Sequence, residues 1–376
     1  MRRWLARYEN IIMIAVLIGL FVAVGAFFLL RKDMSMGDWK TDFSKSSIDI
    51  HELVDGGMGR DGIKPIDSPQ FVPIADIDWL GERSPVIILE MGEDVRAYPL
   101  AVLMRHEIVN DEIDGLPIAV TFCPLCYSPV VYERRVDGET LRLGVTGYLY
   151  KSGFVMWDDR TESWWTQFTG QAIVGNYTGE MLPMVASQIV GYETFVERYP
   201  DGMVLVGDTN QPDMMYGRNP YIKYDSSNMP LMFDGETDSR YAATGWVLTA
   251  VVDGQPVAYP FTLLAQDVVI NHTVNDVPVV VFWKEGSASP LDAAEIDQSR
   301  ETGMAALYYP EVDGQALTFT HNEGTITDEQ TGSTWNIYGE AVEGPLAGSK
   351  LTYIDCSPRL WFAWAGTHPD TIVYGY

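Results

Sequence analysis

The chain has 376 residues, 52 acidic and 25 basic side chains, and a formal net charge of −27. That balance repels nucleic acid and anionic lipid headgroups, which excludes both as partners of the bulk of the chain, and it attracts cations. With 47% apolar residues the length suffices for two ordinary cores.

The first element is an unbroken apolar stretch of 20 residues, Ile11 to Leu30. As a helix it is long enough to span the hydrocarbon core of a bilayer. Arg2, Arg3 and Arg7 precede it, and Arg31 and Lys32 follow. The basic leading end predicts a single-pass anchor over 1–32, with the N-terminus cytoplasmic and the rest extracytoplasmic at the cell membrane. A cleaved signal peptide fits less well, because the apolar run is long and lacks a small-x-small site before Arg31. Beyond residue 32 the chain carries 51 acids against 20 bases, a net −31, which suits a solvated ectodomain. Residues 33–84 form a polar lead-in punctuated by Gly56-Gly57 and Asp61-Gly62.

Residues 85–207 open on apolar runs, Val86–Met91 and Val95–Tyr98, spaced as a hairpin. After Pro99 the apolar positions 100, 103, 104 and 108 predict a short helix, and Ile118–Phe122 predicts a strand that delivers Cys123. Residues 208–244 form a connector rich in Asn, Asp, Pro and Met, and 245–376 repeat the first unit. Ala97-Tyr98-Pro99 meets Ala258-Tyr259-Pro260, Asn110 meets Asn271, Pro117 meets Pro278, and Ser128-Pro129 meets Ser289-Pro290. From 97 to 129, 9 of 33 positions are identical, against roughly 2 expected from average residue usage. Farther on, Asp158, Thr161, Ser163 and Trp165 meet Asp328, Thr331, Ser333 and Trp335. The expected fold is α+β, mainly β, with two tandem, internally duplicated β-rich units after one N-terminal transmembrane helix.

Several stretches resemble the family grouped as domain of unknown function 3179. They are Asp61–Asp67, Ala97–Pro99, His106-Glu-Ile-Val-Asn-Asp111, Thr121-Phe-Cys-Pro-Leu-Cys126, Asp159–Trp165 with Gln167, and Tyr216–Tyr221. The resemblance implies an extracytoplasmic prokaryotic protein, often membrane-anchored or secreted, and carries no established activity.

The chemistry centres on Cys123 and Cys126. Two thiolates at i, i+3 with His106, 17 residues earlier, suit a soft or borderline ion, copper or zinc. Met104, Met156 or Asp111 would supply a further ligand. In the second copy Lys284, Ser287 and Asp267 replace all three principal candidates, as expected of one site. The leading expectation is therefore binding or delivery of a metal ion, rather than turnover, with an envelope protein or a metalloprotein as partner. Two alternatives use the same residues: a thiol-disulfide oxidoreductase, and a non-catalytic envelope interaction or assembly protein stapled by a structural disulfide. The surrounding order lacks the thioredoxin-like βαβ context. Cys356 reads as a buried small hydrophobe, and His51, His272, His321 and His368 as surface or satisfied core residues. In Trp157–Gln167, the residues shared by both copies suggest a turn on a core tryptophan, which leaves Arg160, Trp164 and Gln167 as candidate ligand-binding residues. Walker, dinucleotide, HExxH and GxSxG patterns are missing from the sequence.

Overall fold

The computed structural model describes residues 37–207 and 215–376. The apolar stretch 11–30 and part of the connector lie outside the described residues. Among the described residues no helix is long and apolar enough to cross a membrane.

Each half of the chain builds the same object, mainly of strands. Pro85–Met91 pairs with Asp94–Pro99, and Trp246–Val252 pairs with Gln255–Pro260, both antiparallel. The second hairpin turns on Asp253-Gly254, both at positive φ (47° and 77°), the geometry that matches strand twist. Pro99 and Pro260 then cap the helices Leu100–His106 and Phe261–Asp267, where a missing N–H costs nothing. Both helices stop at a residue of positive φ, Glu107 (58°) and Val268 (61°). The chain is thereby thrown back into Ile108–Ile113 and Val269–Val274. These strands pair with Leu116–Cys123 and Val277–Lys284.

The halves also close alike. Gln188–Gly191 returns antiparallel to Pro85–Met91 with Val190 opposite Val86, and Cys356–Leu360 returns to Trp246–Val252 with Arg359 opposite Val247. Short helices follow, Tyr192–Arg198 and Trp361–Ala365. The last strands, Met203–Val206 and Ile372–Val373, run parallel to the second strand of each opening hairpin. The shared asparagines act as clamps: the Asn110 amide donates to Leu143 O at 2.8 Å, and that of Asn271 to Phe319 O at 2.8 Å. Gly170 and Gly339, at φ 73° and 71°, lie flat on Tyr132 and Tyr308, where an added Cβ would come within 2.5 and 2.6 Å of the rings.

Three differences from the sequence reading matter. First, Cys123 faces Ser128 across the strand pair, whereas Lys284 faces Met304. The insertion thus precedes Met304, Ser289-Pro290 is no structural counterpart of Ser128-Pro129, and Ser287 belongs to the insertion. Only Lys284 stands in the place of a cysteine. Second, the hairpin of Leu143–Tyr150 and Gly153–Asp158 is six residues longer than that of Phe319–Asn322 and Thr325–Asp328, counting from the pairs 143/158 and 319/328. Third, the two copies do not bury separate cores. The largest apolar cluster joins Ile87, Leu103 and Phe122 to Val247, Leu264 and Trp361, and a second joins Val86 and Phe195 to Val280 and Phe282. The lead-in is also integrated: Gln70–Pro73 pairs with Met203–Val206, and Trp39 and Phe43 pack edge-on against Trp164.

Candidate functional site

Strand Leu116–Cys123 turns into Ser128–Glu133 through Pro124-Leu125-Cys126-Tyr127, with Tyr127 at φ 45°. The turn is braced from behind by Gln167, whose amide donates to Thr121 Oγ1 at 2.8 Å and to Ser128 O at 2.7 Å. Cys123 and Cys126 are free thiols, each 1% exposed. Burial alone would push the Cys123 thiol up, but the S–H of Cys126 and the backbone N–H groups of Phe154, Cys126 and Leu125 converge on its sulfur and hold it below the ordinary cysteine value. Cys126 moves the opposite way, because its proton is engaged by Cys123 and its site is buried. The two sulfurs of the turn are therefore unequal, with the hydrogen-bond donors gathered on Cys123.

A third titratable group adjoins them. Glu107, thrown off the helix end by its positive φ, is 6% exposed, and its Oε2 is buried without a hydrogen-bond partner. Burial, then the charge of Cys123, push this carboxyl well above the usual carboxylate range.

The extra length of the first copy's hairpin covers the thiols. Its tip carries Lys151 and Ser152 at positive φ (50° and 70°), and Ser152 O lies 3.9 Å from Cys123 Sγ. The connector closes the other side: Tyr224 OH donates to Leu125 O at 2.8 Å, and Ser152 Oγ donates to Leu231 O at 2.7 Å. Ser152→Ala removes the bond between hairpin tip and connector, worth about 1 kcal/mol. The variant is expected to react with iodoacetamide roughly five-fold faster than the parent, a factor that 1 kcal/mol of easier opening supplies. An unchanged rate would show that the tip does not control access.

The sequence candidates separate. The ring of His106 is buried, with Nδ1 2.8 Å from Lys64 O and Nε2 2.8 Å from Tyr216 OH. Both nitrogens thus have partners other than the sulfurs. Among the described residues no group of three His, Cys, Asp or Glu side chains is placed to hold a metal ion. Asp111 faces Ile118, five residues up the strand from Cys123, roughly 16 Å away at strand rise. It instead pairs with Arg96 at 2.8 Å and accepts from Tyr98 OH at 2.7 Å. Met104 and Met156 are core residues. Arg160 is exposed and faces Glu139 at 3.8 Å, and Trp164 is fully buried against Trp39, Phe43 and Tyr148. Gln167 alone of that trio reaches the cysteine turn. Cys356 is buried beside Tyr353, and burial pushes its thiol up to about 12.

Sequence reasoning overlooked Glu107, Ser152 and Tyr224. Glu107 was within reach of the rule that isolated the cysteines, because the second copy has Val268 in its place.

A family described as Protein of unknown function (DUF3179) matches residues 60–371. No curated protein and no solved structure matches the chain.

Proposed function

The chain belongs to the DUF3179 family, and from the unequal sulfurs of its cysteine turn we propose that it is an extracytoplasmic thiol–disulfide exchange protein. The observation that carries this reading is the pair of free, buried thiols in one turn, with the N–H groups of Phe154, Cys126 and Leu125 and the Cys126 S–H converging on Cys123. In the exchange, the Cys123 thiolate attacks one sulfur of a partner disulfide. An S–S bond forms to Cys123, the partner S–S bond breaks, and one partner thiolate leaves. Cys126 then passes its proton to that thiolate and attacks Cys123, which releases the second partner sulfur as a thiolate that takes a proton from solvent. The partner disulfide gains two electrons, and the Cys123/Cys126 dithiol loses two. A second dithiol outside the cytoplasm restores the starting state. Glu107, whose carboxyl is raised by burial and by the charge of Cys123, is positioned to buffer the charge moved between the sulfurs. The apolar stretch 11–30 supports a membrane-anchored, outward-facing location, where disulfide partners occur.

A copper or zinc centre on His106, Cys123 and Cys126 would first require the imidazole to leave Lys64 and Tyr216. The two sulfurs alone would suit copper(I).

Equilibration in glutathione redox buffers, read by alkylation mass shift, tests the proposal. A reversible two-electron transition between dithiol and Cys123–Cys126 disulfide is expected above about −300 mV, the region below which inert structural disulfides lie. A disulfide that persists below that potential would mark a staple. One zinc or copper ion per reduced chain would turn the assignment to ion handling.

A further inference from the structure

The second copy contributes to the first through Arg359, and the consequence is a cavity between them. Arg359 stands where the first copy has Val190, opposite the first residue pair of the opening hairpin. It is 5% exposed, yet it carries a guanidinium, which proteins do not deprotonate. Its Nη1 donates to Ser128 Oγ, its Cζ lies 4.1 Å from the centroid of the Phe168 ring, and its Nε is buried with no hydrogen-bond partner. Among the described residues no carboxylate lies within ion-pair distance of it. Cys126, Asp355 and Cys123 counter its charge only from beyond that distance, and a buried charge without a counter-charge in good hydrogen-bond geometry is costly.

The same guanidinium lines a cavity of about 390 Å³ between the copies. Phe168, Trp364, Val131 and Val185 are among its lining residues, and Val251, half exposed, lines it where it opens to solvent. His368 stacks on Trp364 at 3.8 Å and 15°, with Nδ1 2.8 Å from Thr367 Oγ1. Burial, then Arg359, lower the proton affinity of this ring, so it is neutral and does not compete for an anion. Asp355 lies at the exposed rim. An apolar chamber with a buried guanidinium in its wall suits a planar anion.

We infer that this cavity binds a small organic carboxylate, its head on Arg359 and its aromatic or alkyl body between Phe168 and Trp364. Cys123 and Cys126 do not line the cavity, although Arg359 lies within electrostatic reach of both; loss of the benzoate preference would overturn the cavity assignment alone, and a persistent disulfide the exchange assignment alone.

Titration calorimetry of the full chain with benzoate, and with neutral benzamide of the same shape, tests the inference. Benzoate is expected to bind at least about ten-fold more tightly, the margin of one charge-assisted pair. Arg359→Met is expected to remove that margin. Because Arg359 is buried and its loss can perturb folding, Val251→Glu provides the second variant: it adds a like charge at an exposed position of the mouth. It should weaken benzoate at least about ten-fold and leave benzamide within about two-fold. Equal affinity for the two probes, absence of benzoate binding, or benzoate affinity unchanged by Val251→Glu would each overturn the assignment.

Discussion

Cys126→Ser is expected to trap a stable mixed disulfide between Cys123 and a partner thiol, while Cys123→Ser abolishes exchange by at least about a hundred-fold. The asymmetry follows from the turn. Cys123 gathers N–H donors from Phe154, Cys126 and Leu125, so its sulfur is the nucleophile. Cys126 holds its proton until the first bond has formed, which makes it the resolving thiol. A serine at 126 still leaves the backbone donors in place, so attack proceeds and resolution fails. A serine at 123 leaves only Cys126, whose thiol burial still disfavours as an anion. The pH dependence has a definite sign. Cys123, with its lowered proton affinity, keeps its thiolate as the pH falls below the ordinary cysteine value, whereas Cys126 reacts only well above it. As the pH is raised, alkylation of the parent should therefore modify one cysteine per chain before the other, and peptide mapping should place the first adduct at 123. Equal rates for the two serine variants, each as slow as the other, would reduce the turn to a passive staple.

How much of this was legible in the sequence differs residue by residue. The duplication was, because Ala97-Tyr98-Pro99 and Asn110 recur at one spacing and do the same job twice: cap a helix and clamp a strand. The Ser-Pro match at 289 was not informative, since a two-residue coincidence inside an insertion carries no register. The cysteines were legible as a site because they stand out against the second copy. His106 was misleading for a conformational reason. It ends a helix, and the positive φ of Glu107 swings consecutive side chains apart, so the imidazole meets Lys64 and Tyr216 while the carboxyl meets the thiol. Residue type and spacing do not encode that change of direction. Trp164 looked like a ligand platform because its copy lacks it, but the lead-in residues Trp39 and Phe43 bury it. Arg359 was invisible for a related reason: its role depends on how one copy packs on the other, a contact 231 residues apart in sequence.

The repeated aspartates give the largest expected stability effect, and they test whether shared residues are architecture. Asp328 is 1% exposed, and its Oδ2 accepts from Trp335 Nε1 at 3.0 Å, while its Oδ1 accepts from Thr331 N at 2.6 Å. Asp158 repeats the device with Trp165 Nε1 at 3.0 Å and Thr161 N at 2.6 Å. Asp328→Ala strands an indole N–H and two backbone N–H groups, and a cost on the order of 3 kcal/mol is expected in urea denaturation. Asp158→Ala should cost a similar amount. The two turns sit in separate sheets and share no partner, so the double variant should lose about the sum. Acid adds an independent signature. Burial raises the proton affinity of Asp328, but the bonds from Trp335, Thr331 and Ser333 outweigh it and hold the carboxyl below its usual range. A group lowered in the folded state contributes stability above its unfolded value, about 3.9, and loses it as the pH falls through the folded value. The parent should therefore weaken on acidification in that window, and Asp328→Ala should show a shallower loss there, because its share is already gone. A variant as stable as the parent at pH 7, or as acid-sensitive as the parent below pH 4, would mean that the turn is held by its hydroxyls alone and the aspartate is incidental to the fold.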